Sequence, residues 1–144
     1  MAAVPRRASE FVYALTRVVV GLLFTCHGAQ KLFGAFGGER ATQPLMIFGG
    51  AIEFFGGLLI AVGLATRIAA LLASGEMAVA YFMAHAPGGF WPIVNKGELA
   101  VVYCFLFLLI ATLGGGRYSI DALIRSRRPP EHGLGEAALR MANR

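Results

Sequence analysis

The chain has 144 residues, of which 57% are hydrophobic and 15% charged, with 19 glycines. Soluble domains run nearer 45–50% apolar and about 25% charged, so this balance argues against a soluble fold and for one membrane domain. The formal net charge is +5, yet most arginines sit in the two ends, which reads as membrane topology rather than a nucleic-acid-binding face.

The first ten residues form a short basic segment carrying Arg6 and Arg7. They precede an apolar run as the start of a signal peptide would. Arg17 interrupts that run and no Ala-x-Ala site follows, so a retained span is expected. A membrane-crossing helix needs about 20 mostly apolar residues. Four stretches qualify, at residues 11–32, 45–64, 68–85 and 93–113. Pro44 opens the second, Pro87 to Gly89 close the third, and Gly114 to Gly116 close the fourth. An open sheet is excluded in lipid because its edges leave backbone groups unpaired, and four strands are too few for a barrel. The expected fold is therefore all-α: an integral membrane four-helix bundle over residues 11–124.

Four spans return the chain to the side on which it starts. That side holds Arg6, Arg7, Arg67, Arg117, Arg125, Arg127, Arg128, Arg140 and Arg144. The opposite loops hold Arg40, with Lys31 and Lys96 at their edges. The positive-inside rule then makes both termini cytoplasmic, including a basic tail at 125–144, and sends the loops at 34–43 and 86–92 outward. Phe90 and Trp91 fall at the outer boundary, where aromatic rings suit headgroups. The tail contains Pro129 and Pro130 and reads as disordered, with a short surface helix at 135–141 as the alternative.

The first span ends unusually. Residues 21–34 read GLLFTCHGAQKLFG, so His27, Gln30 and Lys31 stand in its last two turns. Ionisable groups within spans cost about 2.5 kcal/mol or more each on insertion scales. Setting histidines aside, the spans carry Arg17, Lys31 and Lys96 against Glu53, Glu76 and Glu98. At 100° per residue, Arg17, Phe24, Gly28 and Lys31 share a face, with His27 at its flank. Glu53 is flanked by Gly49, Gly50, Gly56 and Gly57 at i−4, i−3, i+3 and i+4, which marks a closely packed face. Glu76 shares its side with Ala69, Ala73 and Ala80, and Glu98 shares a face with Asn95, whereas Lys96 points away and is expected to snorkel outward.

Depth sorts these groups into two sets. Arg17 lies toward the cytoplasmic side and Glu53 and Glu76 near mid-bilayer, so an inner ion-pair network of Arg17 with Glu53 or Glu76 is expected. His27, Gln30, Lys31, His85, Asn95 and Glu98 fall in the outer half and are expected to form a polar pocket facing outward. Such groups either satisfy one another and fix helix order, or make a site for proton exchange beside a redox carrier. Other site classes are missing. There is no GxGxxG after a strand, no GxxxxGK[ST], no CxxCH and no metal-ligand spacing. Cys26 and Cys104 read as buried apolar thiols. His27 and His85 at similar depth leave axial haem ligation as a lesser alternative.

Taken in order, Arg17 with HGAQKLFG, IEFFGGLLIAVGLATR at 52–67, GEMAVAYFMAHAPGGFWP at 75–92, GELAVVYCFLFL at 97–108 and GGGRYSID at 114–121 resemble the DoxX family. The resemblance covers roughly residues 16–123 and departs at Lys96, where relatives often carry a small residue, and in the brevity of the first outer loop. It implies a bacterial inner-membrane bundle of four helices. Some members are tied to quinone-coupled sulfur oxidation, to quinone stress or to assemblies with redox-defence enzymes. Arg17, His27, Lys31, Glu53, Glu76 and Glu98 are the positions it singles out here. The expected function is a redox-associated membrane subunit that meets quinone or a quinone-like phenol. Gln30, Asn95 or His27 would donate to its oxygen, and Glu98 or His85 would pass the proton. Any catalysis would be that of a quinone-linked oxidoreductase subunit. The alternatives are a non-catalytic scaffold for a partner oxidoreductase and, more remotely, a small-solute carrier that dimerises. The expected partners are the bilayer, a soluble or membrane redox enzyme and a second copy, not nucleic acid.

Overall fold

The computed structural model describes residues 5–127. The part of the basic tail at 128–144, including the alternative surface helix at 135–141, lies outside the described residues. Helices make up the structure: α1 (Arg6–Phe33), α2 (Pro44–Val62), α3 (Thr66–Gly88), α4 (Glu98–Leu113) and α5 (Ile120–Ser126). The described residues contain no strand. α1, α2 and α3 are 28, 19 and 23 residues long and apolar enough to cross a membrane, and α4 is a shorter apolar helix of 16 residues.

Each boundary has a local cause. α1 starts after Pro5, well before the first apolar residue of the expected span, and its opening turns carry an i,i+4 ion pair between Arg6 and Glu10. It stops at Gly34, whose φ of 68° is left-handed and whose N–H donates to the Gln30 carbonyl. α2 begins with Pro44 at its first position and ends at Gly63 (φ 74°), where Gly63 and Leu64 N–H groups both return to the Leu59 carbonyl. α3 starts two residues before the expected span because Asp121 caps it. Asp121 Oδ1 accepts from Ala65 N at 2.8 Å, and Oδ2 accepts from Thr66 N at 2.9 Å and Thr66 Oγ1 at 2.7 Å.

The expected fourth span, 93–113, is corrected by the structure. A single helical turn, Pro92–Asn95, is followed by Lys96 in the left-handed region (φ 61°) and by Gly97, and the continuous helix begins only at Glu98. Asn95 holds this break. Its Nδ2 donates to Gly89 O at 2.6 Å and its Oδ1 accepts from Gly97 N at 2.8 Å. A Cβ at Gly97 would stand 2.9 Å from His85 Cβ, so only glycine fits there.

The helices pack as two tight hairpins. α1 and α2 touch backbone to backbone. A Cβ at Gly21 would lie 2.7 Å from both Ala61 N and Gly57 O, and one at Gly28 would strike Phe54 N and the Gly50 carbonyl. α3 and α4 approach through Ala69, Ala70 and Ala73, all buried, and Ser74 Oγ donates to Cys104 O at 2.8 Å. The two hairpins meet through long side chains instead. Phe24 of α1 packs on Phe107 of α4 at 4.6 Å between centroids, and Tyr103 stacks on Phe107 at 5.4 Å. Ile60 and Met77 complete this seam. Cys26 and Cys104 are free and half-buried.

One end of the seam is sealed. Arg17, 2% exposed, donates through Nη1 to Ile60 O and to Ala61 O (2.7 Å), and through Nη2 to Tyr118 O at 2.8 Å. Tyr13 reaches the Gly114 carbonyl, Arg67 Nη1 donates to Thr112 O at 2.7 Å, and Arg117 approaches Glu10 at 3.5 Å. The start of α1, the α2–α3 turn and the segment after α4 therefore meet at this one end.

Two outcomes follow from this packing. Gly28→Ala should cost about 1–3 kcal/mol, because its methyl meets backbone that has nowhere to go. Gly75→Ala should be neutral, since a Cβ there finds nothing within 4 Å. Thermal unfolding of both variants in the same detergent checks the contrast. The second concerns Asp121, which lies in α5 beyond the spans. Burial pushes its carboxyl up, but the hydrogen bonds from Thr66 and Ala65, helped by Arg125, outweigh that and hold it below the ordinary aspartate value. Its contribution should be complete above pH ~4 and be lost as pH falls through the lowered value. Asp121→Asn should cost about 1 kcal/mol at pH 7 and flatten that acid limb in a pH series of melting curves.

Candidate functional site

At the end opposite Arg17 the seam is not filled. A cavity of about 870 Å³ lies between the hairpins. Its inner wall carries His27 and Lys31 from α1, Glu53 from α2, Glu76 and His85 from α3, and Tyr103 from α4, with Lys96 also on its surface. Outward, it is walled by Leu45, Leu72, Val79 and Met83, which are themselves exposed on the flank of the bundle. The cavity is thus polar at its depth and apolar toward the side that lipid would cover.

Lys31 Nζ donates to Glu53 Oε1 at 2.7 Å, and the Glu53 side chain is 3% exposed. This pairing depends on the glycine contact below it. A Cβ on Gly50 would come within 2.9 Å of Lys31 Cβ, so the lysine stem lies directly over bare α2 backbone. Gly49 serves Glu76 in the same way, since a Cβ there would be 3.2 Å from Glu76 Oε1. Two π-helical turns, Ile52–Gly56 and Tyr81–His85, each hold one of the cavity's ionisable residues, Glu53 and His85. A π turn inserts an extra residue and re-aims the side chains around it.

The expected inner network is corrected here. Among the described residues Arg17 makes no ion pair with Glu53 or Glu76. Its partners are carbonyls of the last turn of α2 and of Tyr118. Those carbonyls are the ones a helix C-terminus leaves unpaired, and they carry its negative dipole end. Glu53 lies seven residues earlier, roughly 10 Å away along α2. Lys31, fourteen residues beyond Arg17 or about 21 Å along α1, is the cation that reaches it.

The outer set divides. His27, Lys31 and His85 line the cavity, whereas Gln30, Asn95 and Glu98 do not. Gln30 is half-buried and packs beside Gly38. Asn95 is occupied with the loop, donating to Gly89 O and to Tyr81 Oη at 3.3 Å. Glu98 is exposed in the first turn of α4, where the helix dipole favours an acid. His27 meets the edge of Tyr103 at 6.1 Å, and His85 Nδ1 lies 3.2 Å from Asn95 O. Tyr103 was not picked out from sequence, and Gly49 only as part of the packed face around Glu53. The buried stripe Ala100, Tyr103, Phe107 and Ile110 has helical spacing and marks which face of α4 points inward. Nothing in it marks Tyr103 as more than packing. Among the described residues no group of three or more His, Cys, Asp or Glu is placed to hold a metal ion.

The DoxX family model matches residues 12–86, which include α2, most of α1 and nearly all of α3. An uncharacterized protein of Haemophilus influenzae is 40% identical over 119 residues, covering 77% of this chain and 89% of its own length. The inner membrane protein YqjF of Escherichia coli is 29% identical over 130 residues, covering 78% and 92%. The uncharacterized membrane protein Rv3486 of Mycobacterium tuberculosis is 32% identical over 134 residues, covering 77% and 80%. No solved structure matches. With its long apolar helices and these relatives, the chain belongs to the DoxX family and is a multi-pass protein of the bacterial inner membrane.

Proposed function

We propose that the cavity receives the ring of a lipid-soluble redox carrier of the quinone class, and that the protein serves as a quinone-associated membrane subunit. The observation that carries this reading is one cavity of about 870 Å³ with the Lys31–Glu53 pair and Glu76 on its wall and apolar, outward-exposed side chains around it. That volume falls within the range of small-molecule sites, about 300–1,000 Å³. A ligand that arrives through Leu72, Val79 and Met83 comes from lipid and has an apolar body. A ligand that stops against a lysine, two carboxylates and two histidines has a polar head able to exchange hydrogen bonds or protons. A substituted ring with two para oxygens on an isoprenoid tail has both properties. Tyr103 offers that ring an aromatic edge deep in the seam.

In this reading α4 is the fourth span. At 1.5 Å per residue its length falls short of a hydrocarbon core of about 30 Å, and the turn Pro92–Asn95 makes up part of the difference. The arginine-rich end closed by Arg17 faces the cytoplasm, and the cavity lies in the periplasmic half.

Two outcomes test this. Gly75 lines the cavity with open space before it, so Gly75→Leu should keep the fold while reducing quinone binding about tenfold or more. Binding of a decyl-benzoquinone to purified protein in phosphatidylcholine nanodiscs, read by quenching of Trp91 fluorescence or by calorimetry, measures it. No saturable binding to the wild-type chain would remove the proposal. For topology, single cysteines at Glu39 and at Arg125 in a Cys26→Ser/Cys104→Ala background should react from opposite sides. A membrane-impermeant maleimide applied to whole spheroplasts should label Glu39→Cys and spare Arg125→Cys.

A further inference from the structure

The cavity's polar atoms are unevenly satisfied. Lys31 occupies Glu53 Oε1. Glu53 Oε2 and Glu76 Oε2 are both buried, and neither has a hydrogen-bond partner among the described residues. Glu53 is 2% exposed and Glu76 is half-buried. Both residues line the same cavity. An ionised carboxylate accepts hydrogen bonds and donates none. Leaving such an acceptor buried and unmade costs about 1–3 kcal/mol, and more when it is charged. The site is therefore short of donors at two neighbouring carboxylates.

That shortage distinguishes the two redox forms of a quinone. The oxidised form carries carbonyl oxygens that only accept. Set against Glu53 Oε2 or Glu76 Oε2, they add one lone pair to another. The reduced form carries two hydroxyl groups, each a donor. We infer, resting on the quinone reading above, that the cavity selects the hydroquinone over the quinone, with a ring hydroxyl donating to the Glu76 carboxylate, which lines the cavity. Lys31 pairs with Glu53 at 2.7 Å, so Glu53 already holds one donor. Glu76 makes no ion pair among the described residues and is the carboxylate that the ligand's donor completes. Binding alone is assigned here; no electron leaves the ring in it.

The experiment compares 2-decyl-1,4-hydroquinone with 2-decyl-1,4-benzoquinone on the full chain in anaerobic phosphatidylcholine nanodiscs at pH 7.5, with decylammonium as competitor. The wild-type protein should bind the hydroquinone at least tenfold more tightly. Glu76→Gln keeps the shape and adds an amide N–H₂ donor, so it should weaken the hydroquinone and strengthen the quinone, shrinking or reversing the ratio. A residue that merely supports the fold would weaken both alike. If the wild-type chain holds the two forms equally, or prefers the quinone, the selectivity is overturned while the cavity keeps its quinone assignment. If neither form binds, the quinone reading fails and this inference with it. If decylammonium displaces the hydroquinone at equal or lower concentration, the carboxylates form a cation site and the inference is overturned. The wild-type comparison stands even if Glu76→Gln does not fold.

Discussion

The glycine contact between α1 and α2 is the constraint on which the rest depends. Gly21 and Gly28 face Gly57 and Gly50 with no space for a side chain on either surface. Lipid gives no hydrophobic drive for two apolar helices to associate, so close packing and polar contacts must hold them. The contact does both. It brings the backbones together, and it carries Lys31 over Gly50 to Glu53 at 2.7 Å. Charges stranded singly in hydrocarbon would be expelled or neutralised. Paired here, they stay inside the bundle and form the wall of a cavity.

The two ends of the seam between the hairpins then behave differently. At one end Arg17 spends its donors on the carbonyls that close α2 and on Tyr118, and Asp121 caps α3. Arg17 and Asp121 are turned onto backbone there, and the end is shut. In the middle, Phe24, Tyr103 and Phe107 fill the seam. Beyond Tyr103 the side chains stop filling it. Gly49 and Gly75 contribute no bulk, and the break at Lys96 and Gly97 displaces the start of α4. The space that results is bounded by acids and bases because those residues had to avoid lipid. A pocket of this kind joins two roles that are often separated in soluble enzymes. The same Lys31–Glu53 pair holds two helices together and presents charge to whatever enters.

Some of this was legible from residues alone. A carboxylate flanked by glycines at i±3 and i±4, as Glu53 is, announces a helix face in close contact with another helix. Long apolar runs ended by glycine and proline announced the helices, and their boundaries shifted only by a few residues. The fourth was misjudged because its break lies in Lys96. A lysine in the left-handed region is imposed by the hydrogen bonds of Asn95 and by the crowding of Gly97 against His85, contacts between segments that no local pattern displays. The pairing of Arg17 with an acid failed for a related reason. Counting charges ignores the backbone carbonyls at a helix end, which are acceptors without any side-chain label.

Hydropathy and period determined by themselves that this chain lives in a membrane as packed helices, and that the charges deepest in its spans, Arg17, Glu53 and Glu76, face inward, because a bilayer offers those groups no other place. Which charges meet was decided only by the tertiary structure. Helix phase sets the face on which Lys31 or Glu98 stands, but the partner and the depth depend on where the neighbouring backbone comes closest, and that is fixed by glycine-to-glycine contact, by π turns at Glu53 and His85, and by the bend ahead of α4.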